Sequence, residues 1–429
     1  MSTATVTELV TAETFWTRRP VLEHILEFAR SRRAGPWAVL GVACTRAVAA
    51  TEPPIALPPT IGSAVSLNLF AALVGQSGSG KGAAEGAARD ALRFVDYSGN
   101  LITTDEFPLG SGEGIARTFR PAGADEDEPL ERTRALFTAP EVDTLAALGS
   151  RQGSTLMPEL RKLFMGEQLG FNNASKATRS TLPAHSYRAC LTVGVQPVKA
   201  GPLLHDADGG TPQRFVWLPV GDPDAPETAP NTPEPWTVRA PRWGGALTYL
   251  EVPEVARAAM DAHRLATLRG EPVDPLDGHR MLTRLKVAVA LMLLDGRSIT
   301  TSEDWELAGI VMRVSDRTRA GIEHSLTERA RAANRARAHE KAEQDAIVED
   351  RANERIRQRA RDAVIRVLER KGKSSRKQLR GDMRHELRRE LDATLADLIA
   401  EGYVCEFGGE YVLAGGYGGT ACTPHENAV

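Results

Sequence analysis

The apolar run from Ala64 to Val74 ends in Gly75-Gln76-Ser77-Gly78-Ser79-Gly80-Lys81-Gly82, and an alanine-rich helical pattern follows it. A strand that stops at glycines turns its backbone N–H groups inward around a polyphosphate, and the helix behind adds its positive N-terminal end. Lys81 then reaches the β and γ oxygens. The expectation is an α/β fold with a strand–loop–helix phosphate cradle built from Gly75, Gln76, Ser77, Gly78, Ser79, Gly80, Lys81 and Gly82. The bland alternative is a glycine-rich turn that binds nothing. Gly82 stands where such loops carry the Ser or Thr hydroxyl that ligates Mg²⁺, so the metal must be held by other groups.

Outward from the loop, 429 residues with 42% apolar content can bury a large core, and the length suggests two to three domains. Cys44, Cys190, Cys405 and Cys422 lack metal-ligand spacing, and the N-terminus lacks a basic segment followed by an apolar secretion core. The reading is a reduced, cytoplasmic protein. The apolar stretch Ala34–Ala50 contains Arg46 and is short for a membrane span, so it reads as a buried helix and no membrane partner is expected. The acidic run 125–128 reads as a solvated loop. The proline density of 221–241 argues against regular structure there, and the stretch Glu328–Asp362 reads as a long exposed helix.

A nucleotide hydrolase also needs an acid at the tip of a neighbouring strand. Ala135-Leu136-Phe137-Thr138-Ala139 is a short apolar strand candidate ending in Pro140-Glu141-Val142-Asp143. Glu141 is the better candidate to polarise water or hold Mg²⁺, with Asp143 in reserve and Asp105-Glu106 as a weaker competitor. A helix-capping carboxylate is the structural alternative for Glu141. A further strand, Cys190–Val195, ends in Gln196-Pro197, where an amide can sense the γ-phosphate. Gln213-Arg214-Phe215 precedes the apolar run Val216-Trp217-Leu218.

This order of phosphate loop, acid-tipped strand, strand ending in a polar residue plus proline, and Arg-Phe pair resembles the AAA+ helicases of phages and plasmids, relatives of the replicative MCM and superfamily 3 hexamers. The resemblance covers Ser66 to Arg319. It implies ATP and Mg²⁺ as ligands, Lys81 as the Walker A lysine, Glu141 as the Walker B acid and metal ligand, and Gln196 as sensor 1. It implies Arg214 as an arginine finger acting on a neighbouring subunit's nucleotide in a homo-oligomer, a hexamer. The helix Gly278–Lys286, with Ser298-Ile299-Thr300 and Asp304, looks like the lid of that family, with Arg284, or less well Arg280, as sensor 2. Between the acid and sensor strands, Gly170–Ser180 corresponds to a channel insertion whose Lys176 and Arg179 would grip DNA; a solvated loop is the alternative.

The C-terminal segment has its own pattern. Val364, Ile365, Val367 and Leu368 make an apolar helical stripe, Gly372 stops it, and Ser374-Ser375 can cap a second helix. A third helix is expected from Arg384, carrying Leu387, Leu391, Leu395, Leu398 and Ile399, followed by two strands around Gly408-Gly409. That is the order of a winged helix, with Arg376, Lys377, Arg380, Arg384, Arg388 and Arg389 as phosphate contacts beside or on the recognition helix. A winged helix that binds protein is the alternative. The expected organisation is an N-terminal helical region (1–60), an AAA+-like P-loop NTPase core (61–241), a helical lid (242–325), a charged helical linker (326–361), a winged helix (362–415) and a disordered tail (416–429). The function it implies is an ATP-dependent ring helicase or replication initiator of a phage or mobile element. The alternative is a nucleotide-gated DNA-binding protein with weak ATPase and no unwinding, and a small-molecule kinase fits less well.

Overall fold

The central strands are apolar on both faces, which requires cover on both sides. The computed structural model describes residues 12–120, 130–149, 154–171, 180–204, 206, 209–272 and 277–415. Lys176, Arg179, the acidic run 125–128 and the tail 416–429 lie outside the described residues. The principal elements, in chain order, are α1 (Pro20–Ser31), α2 (Pro36–Ala49), β1 (Phe70–Val74), α3 (Lys81–Ala91), β2 (Leu92–Val95), β3 (Glu106–Pro108), β4 (Arg134–Ala139), α4 (Val142–Gly149), β5 (Arg188–Val195), β6 (Phe215–Pro219), β7 (Trp236–Arg239), α5 (Asp277–Leu294) and α6 (Ser302–Lys371). By their internal contacts the residues divide into two units, Met1–Arg329 and Ala330–Val429.

In the first unit, β1, β3, β4, β5 and β6 form a parallel sheet in the order β6-β1-β5-β4-β3. Phe70 lies opposite Phe215 and Leu191, and Val74 opposite Pro219 and Val195. Alternate residues serve two cores. Phe70, Ala72, Val74, Phe215 and Trp217 join the one that includes the helices Gly112–Phe119 and Leu156–Met165, whereas Leu73, Val216 and Leu218 join the one that includes α2, α3 and α5. The fold is therefore mixed α/β with helices on both faces of a parallel sheet.

Three expectations about segments change here. The N-terminal helices, expected as a region of their own, belong to the sheet's cover. Val39, Leu40, Ala43 and Ala47 of α2 are buried, and a Cβ added to Gly41 would come within 2.4 Å of Leu218 Cδ1. A helix apolar all round is stable only between layers, which is where α2 sits. The expected lid residues of α5 and early α6 likewise share that core, through Leu285, Leu291, Trp305 and Ile310. The proline-rich linker 221–241 contains a strand, β7, which pairs in parallel with β2 in a two-stranded sheet among the described residues. Its Trp-Thr-Val stretch favours extended backbone, and an edge position tolerates the neighbouring prolines.

Two buried cations fasten the sheet's amino-terminal edge. Arg188 opens β5 and donates to Ser66 Oγ and the Ile55 carbonyl, both at 2.6 Å. Lys286 donates to the carbonyls of Asn68 and Phe164 and lies 3.4 Å from the centre of the Phe164 ring. Burial lowers the pKa of both, Arg188 to about 10. Cys44 and Cys190 are buried free thiols.

In the second unit, α6 ends against β8 (Ser374–Ser375), α7 (Arg376–Asp382), α8 (Leu391–Ala400), β9 (Val404–Phe407) and β10 (Glu410–Leu413). The small sheet runs β8-β10-β9, antiparallel. Ser375 and Gln378 form a capping box at the start of α7. Val364, Leu368, Leu379, Leu391, Leu395 and Leu398 make the core. The third helix starts at Leu391, not Arg384, because His385–Leu387 forms a separate 3₁₀ turn and the Arg388 guanidinium donates to the Met383 carbonyl at 3.0 Å. Asp392 in the first turn of α8 suits the positive end of that helix. Between the two cores, every residue of α6 from 329 to 355 is exposed.

Candidate nucleotide site

The carboxyl edge of the sheet gathers the loop that opened the sequence reading. The Gly75 N–H donates to the Val195 carbonyl at 2.9 Å, tying the end of β1 to the end of β5. Gly78 (φ 73°) and Gly80 (φ 97°) adopt left-handed backbone that side chains disfavour, and they let the chain curl before α3. Ser79 Oγ donates to the Gln76 carbonyl at 2.7 Å. Lys81 is the first residue of α3, and its ammonium donates to the Gly75 and Gln76 carbonyls at 3.1 and 2.8 Å. The lysine thus lies back across its own loop, where partial burial lowers its pKa and the charge of Glu141 opposes that shift.

Glu141 reaches this place because β4 ends beside β5. A Cβ added to Gly194 would fall 2.0 Å from the Pro140 carbonyl oxygen and 3.3 Å from Lys81 Cδ. The bare backbone at Gly194 therefore lets the tip of β4 and the lysine approach one another. Glu141 itself is exposed at the start of α4, and the cap contact it makes there is through its backbone carbonyl, which accepts from Thr144 N at 3.1 Å. The reserve acid, Asp143, pairs with Lys199, which raises the lysine's pKa. Glu106 is held by Arg46 at 2.6 Å and Arg89 at 2.8 Å, so it clamps α2 and α3 to β3. Asp105 faces Arg132 at 3.8 Å.

Gln196 follows β5 directly, is buried, and accepts from the Lys199 N–H through its carbonyl at 2.9 Å. Lys81, Glu141 and Gln196 thus share the carboxyl edge, together with Lys199, which sequence reading missed. The signal for Lys199 was a cation in the first turn after the Cys190–Val195 strand. Among the described residues no group of three or more His, Cys, Asp or Glu side chains is arranged to hold a metal. The available donors suit Mg²⁺ nonetheless, because that ion keeps several waters and takes one or two carboxylates beside substrate phosphates. Glu141 would be the carboxylate.

The remaining arginines lie elsewhere. Arg214 ends the turn before β6, and the Phe215–Phe70 pairing puts it at the sheet's amino edge. Its Nη1 donates to the Gly209 carbonyl at 3.0 Å, its Nε is buried without a hydrogen-bond partner among the described residues, and burial followed by the neighbouring Arg161 lowers its pKa to about 10. Arg284 donates to the Trp305 carbonyl at 2.8 Å and lies 3.8 Å over the Trp305 ring, with its pKa lowered by burial to about 10. Arg280 pairs with Asp316 at 2.6 Å. The register thus sets Arg214 a strand's length from Lys81.

In the second unit Arg376, Lys377 and Arg380 lie on α7, and Arg384 and Arg388 precede α8. Arg376 is bonded to Asp392 of α8, and Lys373 to Glu410 at 2.8 Å. The third helix carries Asp392 and Asp397 and no arginine or lysine. Residues 361–415 hold eleven arginines and lysines against ten aspartates and glutamates, so any phosphate-facing charge must come from local placement. Compared with protein-family models and with curated proteins, the chain matches none.

Proposed function

We propose that the chain is a P-loop ATP hydrolase, AAA+-like in its core, that assembles into a ring and uses hydrolysis to act on DNA as a helicase or replication initiator. The observation that carries the nucleotide part is the insertion of β5 between β1 and β4, which gathers Lys81, Glu141 and Gln196 at one carboxyl edge. Ligands of parallel α/β folds bind outside those strand ends. The glycine loop's N–H groups and Lys81 would hold the β and γ phosphates, and Gln196 would fix the γ oxygens or the attacking water. Water adds to the γ phosphorus as the bond to the ADP oxygen breaks, and Glu141 orients the water and receives its proton. Mg²⁺, when bound, would neutralise charge on the phosphates.

The ring part rests on Arg214 at the opposite edge, a strand's length from the Lys81 of its own chain. The DNA part rests on the helix–helix–helix–hairpin order of the second unit, with Arg376, Lys377, Arg380, Arg384 and Arg388 before its third helix. Gly82 and the burial of Arg214 favour a second reading, a nucleotide-gated DNA-binding protein with weak ATPase. Unwinding of a forked duplex separates the two. The nucleotide site is tested with Lys81→Ala and Glu141→Gln: the first should lose ATP binding and turnover, and the second should bind ATP but turn over about 10²-fold or more slowly. Turnover equal to the parent in both variants would remove the hydrolase reading.

A further inference from the structure

A cavity of about 570 Å³ opens where the parallel strands β2 and β7 end. Tyr97 lies just after β2, Arg242 and Trp243 lie just after β7, and the chain leaving α2 closes the third side. Both exit loops are anchored: the Ala240 N–H donates to the Val95 carbonyl and the Ile102 N–H to the Phe94 carbonyl, each at 2.8 Å. The position outside two parallel strand ends and the volume are those of small-ligand sites.

The lining selects a chemistry. Ile55 and Ile102 supply apolar surface, and Tyr97 stands 58% exposed at the mouth. The Arg242 guanidinium lies 4.5 Å from the centre of the Tyr97 ring, and among the described residues no carboxylate pairs with it. The acids of the lining are already engaged. Asp96 accepts from Ser98 N, Asn100 N and Asn100 Nδ2, and Glu52 pairs with Arg134 at 3.3 Å. What remains is a flat cation on an aromatic face, beside apolar walls, with its charge uncompensated. A guanidinium stacked on one ring offers its other face to a second ring and its N–H edge to a phosphate.

We propose that this cavity is a second ligand site and that it takes a nucleotide, its base stacked on the Arg242–Tyr97 platform and its phosphate held by the edge of Arg242. The nucleotide can be free or part of a single strand, and two probes distinguish these sources. The full chain carrying Lys81→Ala, which silences the phosphate loop, is titrated with AMP by calorimetry and with a labelled oligothymidylate of about ten nucleotides by anisotropy. At least one probe should bind, and Tyr97→Ala and Arg242→Ala, each added to that parent, should weaken it about tenfold. Arg242→Lys should fall between, since it keeps the charge and loses the plane. Thermal melts should not move, because both side chains are exposed. AMP binding without oligonucleotide binding assigns a free nucleotide, and the reverse assigns a strand. Failure of both probes to bind the Lys81→Ala parent, or binding unchanged by both added variants, overturns the proposal. The ATPase of the chain with Lys81 intact is read separately, so the two proposals fail independently.

Discussion

Gly82 occupies the second position of α3, and a Cβ built there meets nothing within 4 Å. Serine therefore fits without displacement, removes the conformational cost of a helical glycine, roughly 0.5 kcal/mol, and restores a hydroxyl where phosphate loops ligate Mg²⁺. Gly82→Ser should lower the Mg²⁺ concentration needed for half-maximal ATPase several-fold; an unchanged magnesium titration would mean that the metal does not approach this position. Gly194 is the opposite case, because its missing side chain is what admits Pro140 and Lys81. Gly194→Ala should cost about 1–3 kcal/mol in urea unfolding and reduce ATP turnover together, and a variant as stable and active as the parent would contradict the close approach. Lys81, Glu141 and Gln196 were legible because each follows an apolar run at a strand end. Gly194 was not, since its role depends on which strands lie side by side, and nothing local to it records that β4 and β1 flank β5; Lys199 carried only the weak signal of a cation in the first turn after that strand.

Elements were read best where periodicity left one solution. Continuous apolar runs gave β1, β4, β5 and β6, and the Gly408-Gly409 turn, with φ of 58° and 83°, gave the closing hairpin. The third helix was read too long because Leu387, Leu391 and Leu395 keep a four-residue spacing across a turn that breaks it. The placement of α5 was not legible either, and it creates a titratable contact with the turn before β6. Around Gly210, a Cβ would meet Arg214 Nη1 at 2.7 Å and His279 Cδ2 at 2.9 Å. Burial, then the positive charges of Arg214 and Lys286, lowers the His279 pKa from 6.5 to about 4. Between those values the unfolded chain binds a proton that the folded chain refuses, so stability is full above pH 6.5 and falls as pH drops toward 4. His279→Gln should flatten the slope of Tm against pH within that window, and parallel slopes for variant and parent would place the acid sensitivity elsewhere.

At the scale of the whole molecule the strand order decides which residues can share a catalytic event. Arg214 precedes β6 and Lys81 follows β1, and the two strands are parallel neighbours, so the five residues of β1, roughly 16 Å, lie between them. An arginine side chain cannot span that distance, and Arg214 must serve a neighbour's nucleotide if it serves one. Sequence order alone suggested this pairing; the register excludes the same chain's nucleotide and leaves the neighbour's as the proposal. An arginine supplied in trans is worth roughly 10³ or more in rate, so Arg214→Ala should nearly silence hydrolysis while ATP still binds. The burial of the guanidinium adds a condition, because assembly must draw it out of its contact with the Gly209 carbonyl. Mixing Arg214→Ala with Glu141→Gln creates some interfaces with both defects and some with neither. Mixed assemblies should therefore regain ATPase that neither variant has alone, and the parent's rate per subunit should rise with protein concentration until assembly is complete. Mixtures as inactive as both variants, with a parent rate independent of concentration, would return Arg214 to a purely structural role at the amino edge of the sheet.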